Sequence, residues 1–275
     1  MSGLIDRAFV QHVRTLPLRS HRRAASDLFG GWRSRHKGQG LDYAESRPYT
    51  PGDDVRRMDW KVTARTMVPH VKQFEESRRL RIALALDTSN SMRVGSAVRT
   101  RLHTAASLMA AAAAGAVRSG DQVRLVLFGN GVEYVSPQVG SERGLQQVLR
   151  QVDELPADAD GSYRPSDRPA EVLETLWSLA PRPQIVFVYS DFVPAKLWRD
   201  VPDGVPRQTQ LIPVRVETRL DPGRIGLRGY DSETGGVARW RAQRGADTIA
   251  GVPVVSVDDT EPLAAAFARM LTTGR

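Results

Sequence analysis

One apolar segment constrains the fold of this chain more than any other, because it ends in an acid and is followed by hydroxyl side chains. Residues 80–86 read Leu-Arg-Ile-Ala-Leu-Ala-Leu, and Asp87, Ser89 and Ser91 follow at alternate positions. A short, nearly continuous apolar run is typical of a strand buried on both faces of a parallel sheet. Alanine-rich helical sequence follows at about residues 97–118. The order of strand, loop and helix predicts an α/β domain.

The sequence after this segment continues the alternation of strands and helices. We therefore expect a doubly wound, mostly parallel sheet flanked by helices, with a small additional β element at 223–241. The further strands are predicted at 122–128, 132–135, 184–190, 208–216 and 253–257, and the further helices at 142–153, 169–179, after Pro194, and at 261–272.

Three regions are expected along the chain. Residues 1–37 are rich in arginine and are predicted to form a basic N-terminal arm with one or two short amphipathic helices. Residues 38–79 contain few aliphatic side chains, and a strand is predicted at 68–74. Because this segment has too little apolar content to fold alone, we expect it to pack on the main domain, residues 80–275.

Composition excludes several classes of chemistry. The 275 residues include no cysteine, which excludes disulfides, thiolate catalysis and cysteine-ligated metal centres. The formal net charge of +8 permits an acidic partner, although solubility accounts for it equally well. No signal-peptide pattern and no apolar run of the roughly 18–20 residues that span a bilayer is present, so we expect a cytoplasmic protein.

Acidic residues end two of the predicted strands. Asp87 follows the first strand, and Asp191 follows the apolar residues 185–189. Because the carboxyl ends of parallel strands share one edge of a sheet, these two carboxylates are expected to converge there. Ser89, Ser91 and a loop residue, Ser162, add hydroxyl oxygens. A set of ligands made only of oxygen suits Mg²⁺, so the sequence predicts a divalent-cation site.

The segment Asp87-Thr88-Ser89-Asn90-Ser91 resembles the Asp-x-Ser-x-Ser motif of von Willebrand factor type A domains. In that family the motif forms the metal-ion-dependent adhesion site. The resemblance implies that Asp87, Ser89, Ser91 and Asp191 contact Mg²⁺ or another divalent cation, with Ser162 in place of the family's loop threonine. It also implies that a carboxylate of a partner protein completes the metal shell. The sequence Ser-Asp-Phe around Asp191 replaces the more usual Thr-Asp-Gly or Ser-Asp-Gly.

A longer signature precedes the first strand. Residues 47–56 read Arg-Pro-Tyr-Thr-Pro-Gly-Asp-Asp-Val-Arg, and residues 58–65 include Met-Asp-Trp-Lys and Ala-Arg. This signature resembles that of the family called domain of unknown function 58, and the resemblance covers roughly residues 38–260. Family members join the signature to a type A-like domain and commonly accompany MoxR-type AAA+ ATPases, which implies an adaptor or assembly role. Many members carry N-terminal transmembrane helices, and this chain resembles the soluble branch.

The charged and aromatic residues of the signature have two interpretations. They either fix the segment onto the sheet or form a partner-docking surface, since aromatic and arginine side chains dominate interface hot spots. We expect Arg47 to stack with the aromatic rings and the other two arginines to pair with the acids. The residues concerned are Arg47, Tyr49, Asp53, Asp54, Arg56, Asp59, Trp60 and Arg65.

Enzymatic function is disfavoured by the residues around the predicted site. A haloacid-dehalogenase-like site would need an acid two residues after Asp87, where Ser89 stands. The chain has no P-loop motif and no Gly-x-Ser-x-Gly elbow. No histidine lies in the predicted strand-end loops, since the five are His12, His21, His36, His70 and His103. We therefore expect a non-catalytic interaction protein, and a metal-dependent phosphoryl-transfer hydrolase remains as an alternative.

Nucleic-acid binding is the other alternative. The predicted arm contains several basic residues and one aromatic residue, namely Arg19, Arg22, Arg23, Trp32, Arg33, Arg35 and Lys37. This composition fits contact with phosphates. It fits a solvated arm as well, so the sequence leaves both readings open.

Overall fold

The computed structural model describes residues 3–15, 41–76, 79–96, 98–156, 168–201, 204–218, 228–231, 236–239 and 246–273. Contacts divide the chain into two compact units. The larger unit comprises Met1–Phe29 and Leu80–Arg275, and the smaller comprises Gly30–Arg79. Within the described residues, no helix combines the length and the apolar character that crossing a bilayer requires.

The secondary structure of the larger unit follows the alternating order predicted from the sequence, and we number all elements along the chain. The helices are α1 (Arg7–Thr15), α2 (Trp60–Thr66), α3 (Arg101–Arg118), α4 (Glu142–Asp153), α5 (Pro169–Ser178), α6 (Ala195–Arg199) and α7 (Leu263–Thr273). The strands are β1 (Leu41–Pro48), β2 (His70–Glu76), β3 (Arg81–Asp87), β4 (Gln122–Gly129), β5 (Gly131–Val135), β6 (Ile185–Ser190), β7 (Gln210–Glu217), β8 (Arg228–Asp231), β9 (Gly236–Arg239), β10 (Thr248–Ile249), β11 (Val252–Pro253) and β12 (Val255–Asp258).

A six-stranded sheet forms the centre of the larger unit, in the order β12-β7-β6-β3-β4-β5. All neighbouring pairs are parallel except β4 and β5, which are antiparallel. This confirms the predicted mostly parallel sheet. The predicted β-hairpin at 223–241 is confirmed in its described part, where β8 pairs with β9 in antiparallel register.

Strand β3 lies in the middle of the sheet and is buried on both faces. Ile82, Leu84 and Leu86 belong to one hydrophobic core, whereas Ala83 and Ala85 belong to a second core on the opposite face. Successive side chains of a strand point to opposite faces, so a strand between two cores needs apolar residues at every position. This explains why the segment shows no polar alternation.

Helices cover both faces of the sheet. Helix α3 packs on β3 and β4 and also contacts α1, α4 and α7, so most of its side chains are buried. Its alanines keep the helix narrow enough to lie between the sheet and these outer helices. The second core contains residues of α5 and α6, including Leu173 and Trp198. The two layers of helices confirm the doubly wound arrangement.

The first described residues belong to the core of the larger unit. An arm was predicted over residues 1–37, but Leu4, Ile5, Phe9 and Val13 are buried there. The backbone N–H of Asp6 donates to Ser107 Oγ at 2.9 Å, which ties the start of α1 to α3. The predicted amphipathic helix is therefore present as α1, and it packs because its apolar face meets α3. The rest of the predicted arm, residues 16–37, lies outside the described residues.

The smaller unit is built on the antiparallel pair of β1 and β2. The strand predicted at 68–74 corresponds to β2. A 3₁₀ helix over Val55–Arg57 and the short helix α2 lie between the two strands. The expected packing of residues 38–79 on the main domain stays a prediction.

Candidate functional site

Polar residues stand at the carboxyl ends of four neighbouring parallel strands. Asp87 is the last residue of β3, and Asp191 directly follows β6. Thr218 directly follows β7, and Asp259 directly follows β12. The strand order places these four residues in a row along one edge of the sheet. Ligands of open α/β sheets bind at this edge, so it is the candidate functional site.

Asp87 is a fully buried carboxyl group beside a second acid. Its Oδ1 accepts a hydrogen bond from the backbone N–H of Ser89 at 2.9 Å, and its Oδ2 accepts one from Ser190 Oγ at 2.6 Å. Burial, followed by the charge of Asp191, raises the pKa of Asp87 to about 7, although both hydrogen bonds favour the ionised form. No cationic side chain contacts Asp87 among the described residues. The site therefore lacks positive charge at Asp87.

The hydroxyl groups of Ser89 and Ser91 are adjacent. The two Oγ atoms are 3.1 Å apart, in the loop that leads from β3 into a 3₁₀ helix over Asn90–Arg93. Neighbouring ligands of an octahedral Mg²⁺ ion, with bonds of about 2.1 Å, lie about 3.0 Å apart. The pair of hydroxyls thus fits two adjacent positions of such a shell. The hard oxygen donors and the uncompensated acid fit the predicted cation.

Asp191 is paired with Arg101, an arginine that no sequence pattern singled out. Arg101 Nη1 donates to Asp191 Oδ2 at 2.8 Å, and the backbone N–H of Val193 donates to Oδ1 at 3.1 Å. Arg101 is the first residue of α3, and its Nε donates to Thr218 Oγ1 at 3.0 Å. One carboxylate of the predicted site therefore has a guanidinium partner.

Asp259 extends the row beyond Thr218. Its Oδ2 accepts hydrogen bonds from Thr218 Oγ1 at 2.8 Å and from the backbone N–H of Ser96 at 2.9 Å. Its Oδ1 is buried and has no hydrogen-bond partner among the described residues. Burial raises the pKa of Asp259, and the hydrogen bonds from Thr218 and Ser96, followed by the positive charge of Arg101, act against that rise. Strand β12 reads Val-Ser-Val-Asp and already ends in Asp258, so the sequence pattern did not single out Asp259.

The structure brings together part of the predicted ligand set. Asp87 and Asp191 interact electrostatically, and Ser89 contacts Ser91. Ser162 lies outside the described residues, so its predicted role stays a prediction. No group of three or more histidine, cysteine, aspartate or glutamate side chains that could hold a metal is found in the described part of the chain. The candidate site combines two carboxylates with hydroxyl groups.

Within the smaller unit, Arg47 forms the bidentate ion pair, or fork, with an acid of the signature that was predicted for Arg56 and Arg65. The Nη1 and Nη2 atoms of Arg47 donate to the two carboxylate oxygens of Asp53, at 2.7 and 2.6 Å. This fork holds the pKa of Asp53 well below its usual range. Asp53 thus pairs with Arg47, and Asp54 lies 4.0 Å from Arg57, whereas the predicted partners were Arg56 and Arg65. The turn at Thr50 brings Asp53 back to Arg47, and Thr50 also donates to Asp53 through its N–H.

The other two acids of the signature cap helices. Asp54 accepts the N–H of Arg56 at 3.0 Å, and Asp59 accepts the N–H of Val62 at 3.1 Å. Asp59 also accepts a hydrogen bond from Ser46 Oγ at 2.6 Å, which joins α2 to β1. Short carboxylates at N-cap positions satisfy free backbone N–H groups, which accounts for an acid at each of these two positions.

The aromatic residues of the signature do not form the predicted stack. Trp60 is 71% exposed, and Tyr49 is anchored by its backbone N–H, which donates to the oxygen of Pro69 at 2.8 Å. No ring contact joins Trp60 and Tyr49 in the described part of the unit. The exposed Trp60 remains available to a partner, and its docking role stays a prediction.

The architecture and the row of polar strand ends define an α/β protein with a candidate cation-binding edge. The family model described as "Protein of unknown function DUF58" matches residues 45–239, and the chain belongs to this family. This confirms the family resemblance that the signature carries.

Relatives with similar sequences occur in mycobacteria. The uncharacterised protein Rv1480 of Mycobacterium tuberculosis is 31% identical over 220 residues, which cover 78% of this chain and 66% of that protein. The uncharacterised protein Mb1516 of Mycobacterium bovis matches to the same extent. The chain therefore spans 66% of the length of these curated relatives.

Among solved structures, BatB from Bacteroides thetaiotaomicron matches with a TM-score of 0.43 and 14% identity, over 71% of this chain and 98% of that chain. An aerotolerance-related membrane protein from Bacteroides fragilis matches with a TM-score of 0.40 and 14% identity, over 69% of this chain and 96% of that chain. Both scores are too low to establish a shared fold.

Proposed function

We propose that this chain is a non-catalytic interaction protein with a von Willebrand factor type A-like domain that docks a partner through a divalent cation. The residues that would hold the cation, Mg²⁺ in the first instance, are Asp87, Ser89, Ser91 and Asp191. The observation that carries the proposal is the buried Asp87, which has a second acid nearby and no cation on it among the described residues. A bound cation would relieve this unbalanced charge.

Each residue has a separate part in the proposed site. Ser190 and the backbone N–H of Ser89 orient the carboxylate of Asp87 through hydrogen bonds to its two oxygens. Ser89 and Ser91 present adjacent hydroxyl oxygens. When bound, the cation supplies the positive charge that a carboxylate of the partner binds. Such a site binds an acidic side chain of the partner only when that side chain can reach the cation without steric hindrance.

The contacts of the two serines support binding in preference to catalysis. A serine nucleophile needs a neighbouring general base that accepts its proton. Ser89 contacts Ser91 and the carboxylate of Asp87, which the proposed cation would occupy, and neither serine contacts a histidine among the described residues. The nucleic-acid alternative depends on residues 19–37, which lie outside the described residues.

The proposed partner is a MoxR-type AAA+ ATPase, which the family resemblance implies, and the proposed role is that of an adaptor in protein assembly or maturation in the cytoplasm. A pull-down of such an ATPase by the full chain tests this proposal. We expect at least about tenfold more ATPase to be captured with Mg²⁺ than with a chelator.

The same pull-down includes an ATP series, because the ATPase itself binds Mg²⁺ with nucleotide. A Glu174→Gln variant is the matched control, since Glu174 is an exposed acid on α5 away from the strand ends. It should capture as much ATPase as the unmodified chain. Equal capture with Mg²⁺ and with chelator, at every ATP concentration, contradicts cation-dependent docking.

A further inference from the structure

Arg101 lies beside Asp191, one of the proposed ligands of the cation. Its Nη1 donates to Asp191 Oδ2 at 2.8 Å and approaches the backbone oxygen of Ser91 at 3.5 Å. The side chains of Arg101 and Asp191 are only 13% and 4% exposed, so solvent screens their attraction weakly. The guanidinium thus supplies Asp191 with the positive charge that a divalent cation would otherwise provide.

Helix formation does not account for an arginine at this position. Arg101 is the first residue of α3, where the helix dipole is positive and a cation is unfavourable. Thr100 already caps the helix, since its side chain accepts the N–H of His103 at 3.1 Å. The contact with Asp191 is therefore the interaction that explains Arg101.

A second acceptor for Arg101 lies next along the sheet edge. Arg101 Nε donates to Thr218 Oγ1 at 3.0 Å, and Thr218 Oγ1 donates to Asp259 Oδ2 at 2.8 Å. Asp259 is fully buried, and its Oδ1 lacks a hydrogen-bond partner in the described part of the chain. A buried carboxylate oxygen without a donor is costly and favours a cationic partner. Thr218 therefore lies between Arg101 and Asp259, whose Oδ1 atom can still accept a hydrogen bond.

We propose that Arg101 is a resident competitor of the divalent cation, which neutralises Asp191 while the metal is absent and transfers to Asp259 when the metal binds. This inference rests on the proposed cation site and names its regulation. Metal affinity is then lower than the oxygen ligands alone would give. Cation binding is also coupled to the carboxyl ends of β7 and β12. When Arg101 moves from Asp191 to Asp259, the hydrogen bonds of Thr218 and Asp259 at these strand ends must change.

Calorimetric titration of MgCl₂ into the full chain tests this competition at constant ionic strength and pH 8. We expect R101Q to bind Mg²⁺ about tenfold more tightly than the unmodified chain, because no guanidinium has to leave Asp191. R118Q removes the same charge from the other end of α3, about 25 Å away, and should leave the affinity unchanged within about twofold. D259N should weaken Mg²⁺ binding in the unmodified chain and have no effect in the R101Q background.

Each outcome of the titration decides a separate point. Equal or weaker binding by R101Q, with measurable binding by the unmodified chain, overturns the competition and leaves the cation site intact. Binding by R101Q alone supports the competition in its strongest form, in which Arg101 closes the site. Absence of binding in both proteins overturns the cation site and the competition together. If R101Q does not fold, R101M decides, since it also removes the positive charge from Asp191 and must bind Mg²⁺ more tightly than the unmodified chain.

Discussion

Replacing Asp87 with asparagine should weaken Mg²⁺ binding by about 100-fold or more while the chain stays folded. The substitution keeps the shape of the side chain but removes the negative charge that a divalent cation requires. Its amide oxygen still accepts the N–H of Ser89, and its NH₂ group points to Ser190 Oγ, so the local hydrogen bonds are largely preserved. Calorimetric titration with MgCl₂ measures the effect directly.

Glu174→Gln is the control for this substitution, because it removes the charge of an exposed acid of α5. We expect its Mg²⁺ affinity to equal that of the unmodified chain. Thermal unfolding without metal verifies that both variants are folded. An Asp87→Asn protein that binds Mg²⁺ as tightly as the unmodified chain would show that Asp87 is not a ligand.

Asp87 should also make the stability of the metal-free chain depend on pH. Because burial raises the pKa of Asp87 to about 7, the folded chain holds a proton between about pH 4 and 7 that the unfolded chain releases. The free energy of unfolding must therefore fall as the pH rises through this window and stay low above it. Each tenfold difference in proton affinity is worth about 1.4 kcal/mol, so the expected loss is on the order of 2–4 kcal/mol.

The difference between the unmodified chain and Asp87→Asn isolates this contribution from those of other titrating groups. In urea unfolding with a chelator, the free energy of unfolding of the asparagine variant should rise relative to that of the unmodified chain between pH 5 and pH 8. The expected relative rise is roughly 2–4 kcal/mol in total. Adding Mg²⁺ at pH 8 should stabilise only the unmodified chain. A difference in unfolding free energy that is constant with pH would mean that Asp87 titrates normally.

The sheet was predictable because its strands and helices are specified by local patterns. The continuous apolar run of β3 and the helical periodicity of α4 and α7 can be recognised in the sequence without knowing their neighbours. The start of α3 was predicted too early, at about residue 97, because Thr100 pairs with Gly95 in a β-bridge and the helix begins at Arg101. The neighbouring Ser96 donates its N–H to Asp259, which is remote in sequence.

In the N-terminal region, too, contacts between residues remote in sequence could not be predicted from local patterns. The spacing of Leu4 and Val13 predicted an amphipathic helix, but not the surface that buries it. That surface is the outer side of α3, and Ser107 on α3 accepts a hydrogen bond from Asp6. Only tertiary packing distinguishes a solvated basic helix from one that completes a core.

Half of the candidate site followed from the sequence. The convergence of Asp87 and Asp191 needed only the rule that parallel strands end at one edge. Arg101 and Asp259 joined the site only when the order of β12, β7 and β6 was known. In the signature, Arg47 and not Arg56 pairs with Asp53, because the turn between them sets the geometry. Composition alone does not choose between nearby arginines.

The most direct test of cation binding at Asp87 is a crystal structure of the full chain grown with MnCl₂, with data collected at the manganese absorption edge. Mn²⁺ prefers the same octahedral oxygen shell as Mg²⁺ and gives an anomalous signal. Cation binding with displacement of Arg101 predicts an anomalous peak about 2.2 Å from Ser89 Oγ and Ser91 Oγ, beside Asp87, with Arg101 displaced from Asp191. A structure with Arg101 still on Asp191 and no peak at these residues, at saturating Mn²⁺, would contradict it.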